Sequence, residues 1–292
     1  MKKLLITGAN GFIGSYFTHH YKDKYDIQTF SFLQDDFESL HVKGIDVVFH
    51  LSALVHQMGG ASNVAYEKVN VTQTLQLAKK AKEAGVGHFV FMSTIKVYGE
   101  ENDEVYTESF TCKPQDEYGI SKLKAENELR KLEDDNFKVS IIRTPIVYGY
   151  GVKANIKNLT NLIAKIPILP FARINNRRSF VYVGNLCAMI DRIIKTGVPG
   201  VFLASDDRSL STTELIKLIA SAMHKKVYLL AIPFFPTLLR WLKPSLHKRL
   251  FESLEVDNAH TKKVLGFTNP YSVEEGIRMM VQGEKYVKIK EV

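Results

Sequence analysis

The chain has little cysteine. Cys112 and Cys187 are its only two in 292 residues, so there is no disulfide framework, and neither lies in metal-ligand spacing. Its nine histidines include no His-Glu-x-x-His pattern, which leaves zinc-hydrolase chemistry without ligands and the histidines as solvated or packed side chains. No uncharged apolar run reaches the roughly 18 residues of a membrane-spanning helix. Met1-Lys2-Lys3-Leu4-Leu5-Ile6 runs straight into a glycine turn without the pattern of a signal peptide. A cytoplasmic protein is expected. Neither sign of charge forms a block. The net charge of +8 is spread along the sequence and suits a small anionic ligand, while no zinc-finger or RNA-binding signature makes nucleic acid an expected partner. What the chain does have is a 45% apolar content, enough for one large core or a core with a smaller lobe.

Lys3 to Thr7 reads as a strand, Gly8-Ala9-Asn10-Gly11-Phe12-Ile13-Gly14 follows, and Ser15 to Tyr21 has helical character. A glycine turn between strand and helix lets backbone approach a pyrophosphate, which meets free N–H groups at the helix start. A second strand, Asp26 to Phe30, ends at Ser31. A carboxylate there would bind the ribose hydroxyls of NAD. Without one, the 2′-phosphate of NADP is not repelled, although no arginine follows to receive it. The alternative is that Asp35 or Asp36 reaches the ribose from the next turn.

Asp46 to Ala53 is a buried strand whose end, including Leu51 and Ala53, allows close approach of a cofactor. A polar loop, residues 56–62, comes next. Val64 to Ala84 has helical spacing with Val71, Leu75 and Ala78 on one side, and Gly85 ends it. Further apolar strands cover His88 to Met92, Lys138 to Arg143 and Val201 to Ser205. Apolar strands alternating with helices predict an α/β fold, a doubly wound parallel sheet covered on both faces, with ligands at the carboxyl ends of the strands.

The chemistry is expected between Thr94 and Lys122. Tyr118 and Lys122, four residues apart on a helix, share one face. A free tyrosine has a pKa of about 10, and an ammonium beside it is expected to lower that value so the phenol can exchange a proton with a sugar hydroxyl. Thr94 offers a hydroxyl to hold the same substrate oxygen. That set suits hydride transfer at a carbinol carbon.

Thr7-Gly8-x-x-Gly11-Phe12-Ile13-Gly14, His50-Leu51-Ser52-Ala53, Asn70, Ser93-Thr94-x-x-Val97-Tyr98-Gly99 and Tyr118-x-x-x-Lys122 together resemble the extended short-chain dehydrogenase/reductase family. Within it, the chain is similar to the epimerase/dehydratase type acting on nucleotide sugars. The resemblance covers nearly the whole chain. It implies a Rossmann-type domain over 1–150, joined by 180–205, and a substrate lobe from 151–179 and 206–292. It implies Tyr118 as acid/base, Lys122 as its activator and ribose anchor, and Thr94 as hydroxyl partner. The cofactor, NAD or NADP, would also meet the glycine turn, Asp36 at its adenine, Asn70 and Pro145.

In the second half, Arg177 and Arg178 precede an alternating strand and read either as a phosphate clamp or as two solvated side chains. The resemblance assigns Arg178 to the substrate diphosphate and, more loosely, Asn155 to its phosphates. Ser179 and Asn185 depart from the two acids of the family pattern. Ser211 and Glu214 form a capping-box pattern. Residues 228–251, rich in Pro, Phe and Leu with Trp241 and interspersed bases, fit a membrane-surface helix or the lid of the substrate lobe. The lid is preferred because apolar stripes usually meet a core.

Family dehydratases carry an Asp-Glu pair after the threonine. Ile95-Lys96 stands there instead, which argues against 4,6-dehydration. Lys96 is either a sugar or phosphate contact or a surface lysine. Two reactions remain, reduction of a UDP-4-keto-6-deoxyhexosamine, preferred on Ser31, and 4-epimerisation of a UDP-sugar with tightly bound NAD. A non-catalytic dinucleotide sensor is a third reading, opposed by the retained Tyr118/Lys122 pair. The resemblance also implies a homodimer.

Overall fold

Leu4, Leu5 and Ile6 are completely buried, so the first strand runs through the middle of the sheet. The computed structural model describes residues 1–55, 62–99 and 104–283. The strands are β1 (Lys3–Thr7), β2 (Asp26–Phe30), β3 (Val47–His50), β4 (His88–Thr94), β5 (Lys138–Thr144), β6 (Ile146–Tyr148), β7 (Ile168–Leu169), β8 (Phe180–Tyr182), β9 (Gly200–Leu203) and β10 (Tyr228–Leu229). The helices are α1 (Phe12–Tyr21), α2 (Asn63–Tyr66), α3 (Gln73–Glu83), α4 (Glu117–Leu132), α5 (Ala154–Lys165), α6 (Val183–Thr196), α7 (Thr212–Ala222), α8 (Phe235–Leu242), α9 (Pro244–Phe251), α10 (Ala259–Leu265) and α11 (Val273–Gln282).

Six strands form one sheet in the order β2-β1-β3-β4-β5-β9, and every pairing in it is parallel. Strand addition reverses direction between β1 and β3, so a crevice opens at their carboxyl ends, where ligands bind in such sheets. One apolar layer, with Leu5, Val48, Leu77, Phe89 and Leu129, packs α3 and α4 on one face. The other layer, with Phe17, Phe49 and Leu186, packs α1 and α6 and continues into Ile216 and Ile277 of the later helices. Each such side chain contributes about 1.5–3 kcal/mol on burial. The expected α/β sheet covered on both faces is what forms.

The expected helix from Val64 to Ala84 is interrupted. Glu67–Thr72 is a π-helical turn between α2 and α3, and Asn70 within it is fully buried. The extra residue of a π turn redirects a side chain that a regular helix would aim elsewhere. The loop expected at 56–62 falls, for residues 56–61, outside the described residues. The Ser211/Glu214 capping box forms, with Ser211 accepting from the Glu214 N–H at 3.1 Å and Glu214 accepting from the Ser211 N–H at 2.8 Å. Where acids were expected, Asn185 and Ser179 bond differently. The Asn185 amide donates to Asp206 (2.8 Å) and to the Tyr271 carbonyl (2.9 Å), and the Ser179 hydroxyl accepts from the Val256 N–H (3.0 Å). Asp206 supplies the buried carboxylate instead. It also accepts from the Tyr182 N–H and the Tyr148 hydroxyl.

Candidate active site

The glycine turn lies between β1 and α1. Gly8 has φ +73°, and a Cβ there would lie 2.8 Å from the Ser52 nitrogen, so only glycine lets the turn meet the strand-end loop of β3. At Gly14 a Cβ would stand 2.4 Å from the Gly8 carbonyl oxygen, and its absence seats α1 on the turn. Asn10 and Gly11 are exposed, whereas Phe12 and Ile13 pack against the core. What these last two offer a ligand is therefore backbone N–H, not side chain. Helix α1 begins at Gly11 with no side-chain cap and no acid in its first turn, so its positive end is left uncompensated.

At the end of β2, the Ser31 N–H donates to the Asp35 carboxylate at 2.7 Å. The turn thus carries an acid even though the strand end does not. Asp36 is exposed and accepts from the Glu38 N–H at 3.3 Å. Beyond β3, the Leu51 N–H donates to the Thr7 carbonyl (3.1 Å). Leu51 and Ala53 are half-buried on the same edge.

Thr94 closes β4 and is buried. Its hydroxyl accepts from the Lys96 N–H at 3.3 Å. Asp116 is the N-cap of α4, accepting from the Gly119 N–H at 2.7 Å, and its second oxygen pairs with the Lys96 ammonium. Lys96 therefore ties the turn after β4 to the helix carrying Tyr118. Asp116 was overlooked in the sequence, although a capping aspartate directly before a helix is a readable signal.

Tyr118 and Lys122 do occupy one side of α4, but their expected electrostatics are reversed within the chain itself. Burial pushes the Tyr118 phenol above its ordinary range, with Asp116 and Tyr66 adding to the effect. Burial lowers Lys122 to about 7, with Glu126 opposing. The Lys122 ammonium is only 2% exposed. It lies 4.0 Å over the Phe91 ring and finds no hydrogen-bond acceptor among the described residues. A buried ammonium without an acceptor and an uncapped helix start at the carboxyl end of β1 are two features that fit a dinucleotide bringing ribose hydroxyls and a pyrophosphate.

A cavity of about 610 Å³ gathers Thr94, Tyr118, Pro145, Asn155 and Arg178. Lys96 is also on its wall. Arg178 donates to the carbonyls of Glu252 (2.9 Å) and Lys248 (3.3 Å). Arg177 turns the opposite way, is exposed, and pairs with Glu255 at 2.7 Å, because neighbours in extended backbone point to opposite sides. Of the two arginines, only Arg178 therefore lines this cavity. Lys248 and Arg249 of α9 join the cavity wall, with Arg249 donating to the Asn155 side chain at 3.2 Å. No local pattern marked them, since only the fold brings α9 to the cavity. Of the two helices in the segment expected as a lid, α9 lines the cavity and α8 does not, and neither has a fully buried residue. Phe235 of α8 meets Phe171 and Phe251, but Leu238, Trp241 and Leu242 stay exposed.

Residues 4–203 match the model of the NAD dependent epimerase/dehydratase family. The UDP-glucose 4-epimerase of Vibrio cholerae is 35% identical across 96% of this chain and 95% of its own length. The N-acetyl-alpha-D-glucosaminyl-diphospho-ditrans,octacis-undecaprenol 4-epimerase of Escherichia coli O157:H7 is 24% identical, over 96% of this chain and 95% of its own. Among solved structures, the UDP-glucuronic acid 4-epimerase from Bacillus cereus in complex with NAD has the same fold. Its TM-score is 0.77 at 19% identity, covering 97% of this chain and 98% of that one.

Proposed function

The chain belongs to the NAD-dependent epimerase/dehydratase family, and from that premise we propose that it epimerises C4 of a uridine diphosphate hexose. The observation that carries this reading is the single cavity joining Thr94 and Tyr118 to Asn155 and Arg178. A proton-transfer pair and a diphosphate anchor there face the same space. When bound, NAD would supply the hydride chemistry. The N–H groups at the start of α1 and the Lys122 ammonium would hold it. The carboxylate that Asp35 brings to the turn after β2 supports NAD over NADP, and with it epimerisation over reduction.

Tyr118 takes the proton of the C4 hydroxyl as C4 gives up its hydride, leaving a 4-keto sugar. The same phenol returns the proton once hydride comes back to the other face of C4. Thr94 Oγ1 orients the C4 oxygen through both steps. Positive charge next to the phenol would make its ionised form accessible, and Lys122, lowered to about 7 by burial, would supply it when protonated. Arg178 binds the diphosphate, and Asn155, held by Arg249, lies beside it. Ile95 and Lys96 follow Thr94 where family dehydratases carry an Asp-Glu pair, which argues against dehydration.

The second reading, reduction of a UDP-4-keto-6-deoxyhexosamine, draws on Ser31 at the strand end. Purified protein given UDP-glucose or UDP-N-acetylglucosamine with no added cofactor should form the C4 epimer, seen as a change in the H4 coupling by NMR. No interconversion, together with stoichiometric NADPH consumption on the 4-keto sugar, would replace the epimerase with the reductase.

A further inference from the structure

Between Glu214 and Glu252 the sequence contains no aspartate or glutamate, while Lys225, Lys226, Arg240, Lys243, Lys248 and Arg249 fall within that stretch. Its apolar side chains are unusually uncovered. Phe234 is 84% exposed and Trp241 81% exposed, with Leu238 and Leu242 more than half exposed. Leu238, Trp241 and Leu242 recur at helical spacing on one face of α8, and Phe234, its N-cap, adds a fourth exposed apolar side chain at the helix start. Phe234 itself holds φ +61°, a left-handed conformation unfavourable for a bulky residue, at the point where its ring projects outward. The apolar surface continues past the helix. Tyr228 pairs with Ile168 across β10 and β7, and both are more than half exposed.

We infer that α8 seats this protein on the surface of an anionic phospholipid bilayer. Aromatic and leucine side chains on one helix face, with bases and no acids in the flanking sequence, are what an interfacial helix requires. The apolar face enters the acyl boundary while lysine and arginine meet phosphate headgroups. A second copy of the chain would meet the same bases with its own and repel, so the charge pattern selects a negative surface. Helix α9 starts at Pro244, two residues after α8 ends, and lines the cavity. The bound face and the mouth of the site are therefore neighbours. This inference is independent of the reaction carried out there.

Trp241 is the only tryptophan in the chain, which makes its fluorescence a probe of this face alone. Mixed phosphatidylglycerol and phosphatidylethanolamine vesicles should shift its emission to the blue, and brominated acyl chains should quench it. Phosphatidylcholine vesicles should do neither, and added salt should weaken the effect. The Leu238→Ser/Leu242→Ser variant should lose about tenfold or more in vesicle partitioning with its circular dichroism unchanged. If that variant misfolds, Arg240→Gln/Lys243→Gln should lose the preference for phosphatidylglycerol. The inference fails if the wild-type emission ignores the anionic vesicles, or if the folded variants bind as tightly as the wild type. It also fails if the shift follows protein concentration rather than lipid, which would make the face a contact between copies.

Discussion

The side-chain amide of Asn70 donates to the Ser121 hydroxyl at 2.9 Å, with both residues buried. The same amide group receives the Leu54 N–H (2.8 Å) and donates to the Leu54 carbonyl (3.0 Å). One side chain thereby fixes the loop after β3 to the helix carrying Tyr118 and Lys122. The π turn is what aims it inward. Asn70→Ala leaves both Leu54 backbone groups without these partners, and a buried unsatisfied group costs about 1–3 kcal/mol. Denaturant unfolding should show a loss in that range or above, and turnover should fall because α4 is no longer held in register.

Tyr118→Phe removes one oxygen and little else. General acid–base groups contribute about 10²–10⁴-fold, so turnover should drop by that order while nicotinamide dinucleotide binding, followed by calorimetry, stays near the wild-type value. Retained turnover would remove Tyr118 from the mechanism.

Patterns that depend only on neighbours along the chain were readable in advance. The glycine turn, all six strands of the large sheet, the Ser211 cap and the shared face of Tyr118 and Lys122 are of this kind, since periodicity and turn chemistry are local. Three features were not. Whether Arg177 and Arg178 act together depends on which way each points from an extended segment. The wall formed by Lys248 and Arg249 depends on where a helix about seventy residues further along packs. The reversed electrostatics of Tyr118 and Lys122 depend on burial, which spacing cannot supply. The stripe on α8 misled for a related reason, because hydrophobic periodicity identifies an apolar face without saying what covers it.

Arg178→Lys keeps the charge but gives up the planar fork that matches a diphosphate. If Arg178 grips the diphosphate equally in ground and transition states, KM should rise, by about tenfold for each 1.4 kcal/mol lost, with kcat much less affected. Steady-state kinetics on the UDP-sugar would test this. A fall in kcat at constant KM would instead place the arginine in transition-state stabilisation.

Stability should decline on mild acidification. His50 is held neutral, lowered to about 3 by burial and then by the Lys122 charge. His88 is lowered to about 4, first by burial and then by Lys2 and Lys138. Thr74 gives its hydroxyl hydrogen to the Asn70 carbonyl (2.9 Å) and so receives one from His50 Nε2 (2.9 Å), which leaves Nδ1 to accept from Thr7 (2.6 Å). In the unfolded chain both imidazoles take up protons below about 6.5, so the unfolded state binds more protons and acid favours it. Each histidine contributes about 1.4 kcal/mol per pH unit between that value and its folded pKa. The stability is fully present above about 6.5 and drains away below it. Denaturant midpoints from pH 6 to pH 5 should fall, and the slope should shrink in His50→Gln.

Beneath the cavity, Arg143 and Glu126 form a buried pair at 2.5 Å with side chains 3% and 0% exposed. Ser93 donates to the same carboxylate at 2.5 Å, and Arg143 donates to the Tyr98 hydroxyl at 2.7 Å. The two charges are costly to bury. Arg143→Met would leave the Glu126 carboxylate in the core with only Arg130 (3.1 Å), itself partly exposed, as a charged partner, so the loss should reach at most about 3–5 kcal/mol, that of a broken buried pair. Replacing both, as Arg143→Met/Glu126→Leu, should cost less than the single change, because no uncompensated charge then remains. The double variant carries a second signature. Glu126 is one turn from Lys122 and raises its pKa against burial, so removing it should carry Lys122 below about 7 and move the alkaline side of the activity profile with it. A double variant less stable than Arg143→Met would show that the pair's hydrogen bonds outweigh its desolvation. An unmoved pH profile would show that Glu126 does not govern the charge of Lys122.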